Sequence, residues 1–170
     1  VVGSFWAIRN LKASSGIKFS SINIADDWSK AFAGLTENTG FEFDGDGNAI
    51  VDEDGIYMIY IDLKNSKLAI EPAKVYLTGA ALTGDWGKED ENYLFSVDGT
   101  LLVSPAFASD GDLRIFAGSS IATSDWWTRE FNVFDGKIEY RGTGGDQAAV
   151  PVTAGQKVTL NFQAGTGSIQ

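Results

Sequence analysis

Apolar and polar residues alternate in short runs along the whole chain. The clearest runs are "FWAIRN", "GIKFSS", "GFEFDG", "NAIVDEDG", "GIYMIYIDL" and "KLAIEP", then "KVYLTGA", "TLLVSPAF", "LRIFAGS", "FNVFDG", "KIEYRG" and "QKVTLNFQAG". Gly, Asp, Asn and Ser fill nearly every gap between them, as tight turns between antiparallel strands require. No long stretch carries the 3.6-residue apolar period of a helix. The pattern predicts an all-β chain built as a sandwich. Along "GIYMIYIDL", alternation places Tyr57, Ile59, Ile61 and Leu63 on one core-facing side.

Aligned against itself, the chain reads as two copies of one β-domain. "SSGIKFSS" matches "SDGDLRIFAGS", and "DDWSKAF" (Asp26 to Phe32) matches "DWWTREF" (Asp125 to Phe131). The second match sets Trp28 against Trp127, Lys30 against Arg129 and Phe32 against Phe131. "FDGDGNAIVDEDGIYMIYI" and "FDGKIEY…VPVTAGQKVTLNF" follow in the same order. The joint falls at Glu71-Pro72-Ala73, where proline cannot donate a ladder hydrogen bond. It divides the chain into a first module, residues 1–72, and a second, residues 73–170. The second copy opens with Lys74 to Gly99, and nothing before Val1 matches that segment. The first copy therefore reads as incomplete at its N-terminus.

The tryptophans carry the functional signal. In "SDWWTREF" (Ser124 to Phe131) two are adjacent. In an extended segment neighbours point to opposite faces, so Trp126 turns to the core or its rim while Trp127 faces water with Arg129 on its own side. Trp86 lies in a loop of Gly, Asp, Lys and Glu, and Trp28 is flanked by Asp26, Asp27 and Ser29, so both read as exposed. Trp6 reads as core or as a contact between domains. A bare indole accepts the C–H face of a sugar ring with few rotamers to freeze. Arginine's planar fork donates to adjacent hydroxyls, and lysine offers a single movable charge. Core burial is the competing reading for each ring, as for the buried Trp of immunoglobulin domains.

Composition narrows the chemistry. The 170 residues carry a formal charge of −10, which argues against nucleic acid and against an anionic membrane surface as partners. The chain has no Cys and no His. Disulfides, thiolate nucleophiles, Cys-type zinc sites and His-based triads are thereby excluded, and only carboxylate chemistry remains for an enzyme. No apolar run approaches the ~20 residues of a membrane helix.

"VYLTGAALTGDW", the W-x-x-x-F after a short strand, and "G-x-Y-x-I-x-I-D-L" closing a copy resemble the tandem modules of SusE/SusF-type proteins, surface lipoproteins of Bacteroidetes glycan-uptake systems. The resemblance covers essentially the whole chain. It implies immunoglobulin-like sandwich modules that hold starch or a related glucan at the outer membrane without cutting it. No cofactor is implied, and other outer-membrane glycan-uptake proteins become candidate partners. In such modules two rings in an arc work with a Lys or Arg. The matching positions here are Trp86 and Trp127 with Arg129, helped by Lys88 and flanked by Trp126; in the first copy only Trp28 and Lys30 match. A lipid-anchoring Cys is absent, which puts any anchor in a segment outside this chain.

Three weaker signals have plainer readings. Asp44, Asp46 and Asn48 fall at the first, third and fifth positions of a calcium loop, but Ala49 and Gly55 stand where Gly and Glu belong, and Asp-Gly hairpin turns explain the same letters. No metal is assigned. Carboxylates such as Asp110, Asp112, Glu89 and Asp90 show no pairing across a cleft of the kind glycoside hydrolysis needs, so the chain is read as non-catalytic. "RGTGGD" (Arg141 to Asp146) lacks the Lys-Ser/Thr of a phosphate loop and reads as a mobile hairpin tip. The rival to glycan binding is a structural spacer or assembly module of an outer-membrane complex.

Overall fold

A computed structural model describes residues 3–21, 24, 27–82 and 86–170. Asp26, and Thr83 to Asp85 of the loop before Trp86, lie outside the described residues. The fold is all-β; among the described residues the helical pieces are single 3-10 turns, Glu91–Tyr93 and Trp126–Arg129. The chain divides into two compact units, Val2–Pro72 and Ala73–Gln170.

The first unit runs β1 (Ser4–Leu11), β2 (Phe19–Ser20), β3 (Ala31–Phe32), β4 (Glu37–Thr39), β5 (Glu42–Phe43), β6 (Ala49–Ile50), β7 (Gly55–Asp62) and β8 (Lys67–Pro72). Its main sheet has the order β1-β7-β8-β4, antiparallel except for β4, which runs parallel to β8. Tyr57 and Ile59 of β7 and Leu68 and Ile70 of β8 form the core with Ala49 and Val51. The register places Ile59 opposite Ile70 and Ile61 opposite Leu68. Ile56, Met58 and Tyr60 are buried as well, so β7 is covered on both faces. The expected inward row ends early: Leu63 lies past the end of β7 and is 46% exposed.

The second unit contains β9 (Val75–Thr78), β10 (Ser96–Asp98), β11 (Leu101–Val103), β12 (Gly111–Asp112), β13 (Arg114–Ala117), β14 (Glu130–Phe134), β15 (Lys137–Tyr140), β16 (Pro151–Val152), β17 (Val158–Asn161) and β18 (Thr166–Ile169). One sheet runs β10-β11-β17-β18-β15-β14-β13-β9. Its halves join where β15 meets β18, at the pair Lys137–Thr166 flanked by the Ile138 N–H to Gly165 carbonyl bond at 3.0 Å and the Gly167 N–H to Gly136 carbonyl bond at 3.1 Å, and the sheet folds over itself into a sandwich-like arrangement. Phe131 of β14 meets Phe162, just past β17, edge to face at 5.4 Å, closing the core between the halves.

Period-2 geometry then sorts β9, β13 and β14. Leu77, Ile115, Phe131 and Val133 share the inner face, while Tyr76, Thr78, Arg114, Phe116, Glu130 and Asn132 share the other. Most of that second row is also buried, because the segments carrying Trp86 and Trp126 lie on it. Tyr76 stacks on Phe116 at 5.5 Å. Burial first, then Glu89 and Glu91, pushes its phenol up to about 12. An unfolded tyrosine ionises near ~10, so the folded state holds the extra proton between these values and stability should fall as pH rises from about 10 to 12, by about 2–3 kcal/mol. Urea midpoints across that window should drop steeply for the wild type and flatten in Tyr76→Phe.

Candidate functional site

Strand register assembles the centre of the site. Glu130 lies on the middle strand β14, with β13 on one side and β15 on the other. Arg141, one residue past β15, is its cross-strand neighbour, its N–H bonding the Glu130 carbonyl at 3.0 Å. Arg114 is the diagonal neighbour on β13, within reach of a long side chain. Glu130 is fully buried, and each of its oxygens takes one arginine: Arg114 Nε donates to Oε1, and Arg141 Nη1 donates to Oε2 at 2.6 Å. Asp146 completes the group from outside. Its exposed carboxylate accepts through Oδ1 from Arg114 Nη2 at 2.6 Å and from Arg141 Nη1 at 2.9 Å. The Arg114 hydrogen bond and charge, with Arg141 adding, hold the Asp146 carboxyl below the usual carboxylate range. Glu130 foremost, and then Asp146, raise the Arg114 pKa through their hydrogen bonds and charge.

The rings pack on these arginines. Trp86 and Trp126 lie 6.1 Å apart, tilted by 34°. The Arg114 guanidinium sits 5.4 Å from the first ring and 5.9 Å from the second, within cation–π range of both. Trp126 also meets Phe116 edge-on at 5.8 Å, which anchors it to the sheet. Arg141 lies 5.1 Å from the Trp127 ring. Two glycines make room. At Gly79, with φ +98°, a Cβ would come within 3.1 Å of the Trp86 ring; at Gly87, with φ +68°, within 2.1 Å of Trp126. The Gly87 N–H is tied to Thr78 Oγ1 at 2.8 Å, pinning the Trp86 loop to β9. Trp86 remains 50% exposed, whereas Trp126 and Trp127 are half-buried.

Two expectations about "SDWWTREF" are corrected. The segment is a 3-10 turn, not an extended strand, with the Thr128 N–H bonded to the Asp125 carbonyl at 3.1 Å. In such a turn residues three apart eclipse, so Trp126 pairs with Arg129 and Trp127 points elsewhere. Arg129 is accordingly buried. Its Nε donates to the Ala117 carbonyl of β13 at 2.8 Å and its Nη1 reaches the Ser124 carbonyl and hydroxyl at 3.2 Å, so its fork ties the turn to the sheet instead of standing in solvent. The cations beside the rings are Arg114 and Arg141, which sequence reasoning passed over. An arginine inside the apolar run "LRIFA" and a glutamate opening "EFNVF" were the available signals. "RGTGGD" is likewise corrected: both of its ends, Arg141 and Asp146, belong to the ion network. Lys88 is exposed, with its ammonium 4.0 Å from Asp90.

The first unit holds a groove of about 800 Å³ lined by Gly16, Lys18, Trp28, Phe32, Asp46 and Asn48, among others. Trp28 is 60% exposed there, and its carbonyl accepts from Ala31 N–H at 3.0 Å, as that of Trp127 accepts from Glu130 N–H. Lys30 is exposed but does not line the groove, whose cation is Lys18. The calcium-like letters form a hairpin turn. The Asp44 carboxylate accepts from the N–H groups of Asp46 and Asn48 at 2.9 and 2.8 Å and from Asn48 Nδ2 at 2.7 Å. No cluster of metal-ligating side chains occurs among the described residues.

Comparison with known proteins gives a consistent answer. The SusF/SusE starch-specific carbohydrate-binding-module profile matches residues 74–168. Outer membrane protein SusF of Bacteroides thetaiotaomicron is 40% identical over 185 aligned positions, covering 99% of this chain and 37% of its own length. The crystal structure of SusF from that organism matches at a TM-score of 0.84 and 38% identity, over 99% of this chain and 40% of that one. The chain spans about two fifths of the length of these relatives. It belongs to the SusF/SusE family of starch-specific carbohydrate-binding modules.

Proposed function

We propose that the chain binds starch or a related α-glucan without cleaving it, at the surface of the bacterial outer membrane, as part of a glycan-uptake system and anchored by lipid through a segment outside this chain. One observation carries the reading: an indole pair tilted by 34°, half exposed at Trp86 and backed by the Arg114 guanidinium. Two rings at an angle suit a curved α-1,4-glucan better than a flat platform, and the fork beside them suits sugar hydroxyls. Trp86 and Trp126 are the platform, Arg114 the main polar partner, and Lys88 and the Trp127–Arg141 pair the flanks. Arg129 supports the turn that presents Trp126. In the first unit the groove around Trp28 and Lys18 is a second site, with Lys30 at its margin.

A shallow site of this kind binds at ~10⁻⁴ M, or about 5 kcal/mol, and paired sites gain by avidity. Titration with maltoheptaose should shift the tryptophan emission with an affinity of that order, and long incubation should release no reducing sugar. A flat emission titration against glucans of every linkage would instead support the spacer reading.

A further inference from the structure

We infer that Asp146 is a ligand-binding and specificity-determining residue, accepting a sugar hydroxyl and keeping the site selective for uncharged glycans. The inference rests on the glucan-binding reading and deepens it. Asp146 Oδ1 is held by both arginines, while Oδ2 has no partner among the described residues and the side chain is 66% exposed. Arg114 uses Nε on Glu130 and Nη2 on Asp146, which leaves Nη1 without a protein partner among the described residues. A free acceptor and a free donor thus stand on neighbouring groups, one of which lies against Trp86 and Trp126. Neighbouring hydroxyls on a pyranose meet such a pair in complementary fashion: one donates to the carboxylate and the next accepts from the guanidinium.

The same carboxylate sets charge preference. Arg114 and Arg141 carry two positive charges, and Glu130 and Asp146 cancel them. Without Asp146 the outward-facing donors of both arginines would be left for any anion, and a uronate carboxylate would take its place on the fork. With Asp146 present, an acidic sugar meets a like charge and an occupied fork. Because Arg141 lies over Trp127, the same carboxylate holds the arginine that backs a further indole as well as the one beside Trp86 and Trp126.

The test is calorimetric titration of the whole chain and its Asp146→Ala and Asp146→Asn variants with maltoheptaose and with an oligogalacturonate. The wild type should bind maltoheptaose and ignore the uronate. Asp146→Ala should lose about tenfold in maltoheptaose affinity and acquire measurable uronate binding, with Asp146→Asn between them, because its amide oxygen still accepts from the arginines but carries no charge. Unchanged circular dichroism and melting midpoints establish that the exposed substitution has not unfolded the unit. Maltoheptaose affinity within twofold of wild type, with no uronate binding, would overturn the inference and leave the glucan reading standing. Wild-type binding of the uronate would overturn the charge preference. A wild type that binds neither sugar overturns both the inference and the reading beneath it.

Discussion

Replacing Glu130 with alanine should destabilise the second unit by about 3–5 kcal/mol, the largest stability loss expected from any single polar substitution here. The carboxylate is fully buried, and two guanidinium groups lean on it from the flanking strands. Truncation leaves both cations desolvated with only the exposed Asp146 to answer them. For a unit of this size a loss of that order lowers the melting midpoint by more than roughly 10 °C. Glutamine keeps the shape and loses the charge, so Glu130→Gln should fall between alanine and wild type. A third variant separates ion pairing from packing. Glu130→Leu combined with Arg114→Met and Arg141→Met removes the three inward charges of this network at similar volume, and such exchanges are often neutral or stabilising. It should recover much of the stability while losing glucan binding, because no fork remains beside Trp86. Thermal and urea midpoints measure the first effect and calorimetry the second. A Glu130→Ala midpoint within a degree or two of wild type would show that the network is not part of what holds the unit together.

What the letters revealed follows from which interactions are local. The strands with strong alternation or long apolar runs, such as "GIYMIYIDL" and "KLAIEP", are present as β7 and β8, because side-chain period alone decides them. Several strands escaped those runs, and two of them show why. Thr166–Ile169 is "TGSI", with almost no apolar signal, and Glu37–Thr39 is exposed throughout and pairs in parallel with a strand far along the chain. Both are strands because a neighbour offers a ladder, which no local pattern reports. The tryptophans were found for the same reason the strong strands were: the residue type is rare and its surroundings polar. Their partners were not. Arg114, Glu130 and Arg141 are far apart in the chain and meet only through the register of β13, β14 and β15. Arg129 was assigned to the ligand because period 2 was applied to a segment that turns with period 3, which exchanges the tryptophan that shares its side.

Trp86→Ala should remove most glucan binding by the second unit while leaving it folded. The ring is half exposed, resting on Gly79 and Arg114 with its neighbour Trp126 alongside, so its loss strips away the sugar-facing surface but opens no cavity in the core. Exposed platform rings of this kind behave as hot spots worth about 2 kcal/mol or more, or roughly thirtyfold, which takes a site of ~10⁻⁴ M to the millimolar range. The melting midpoint should move by only a few degrees. Trp126→Ala is the informative contrast: that ring is wedged edge-on against Phe116 and under Arg114, so its removal should weaken binding and lower the midpoint together. Attribution needs one further variant, because Trp28 in the other unit is also exposed and lines a groove. Trp28→Ala should leave a maltoheptaose titration with the response of the Trp86 site, and the double variant Trp28→Ala/Trp86→Ala should leave none. If the double variant still binds with wild-type affinity, neither indole is the platform and the sugar is held elsewhere on the chain.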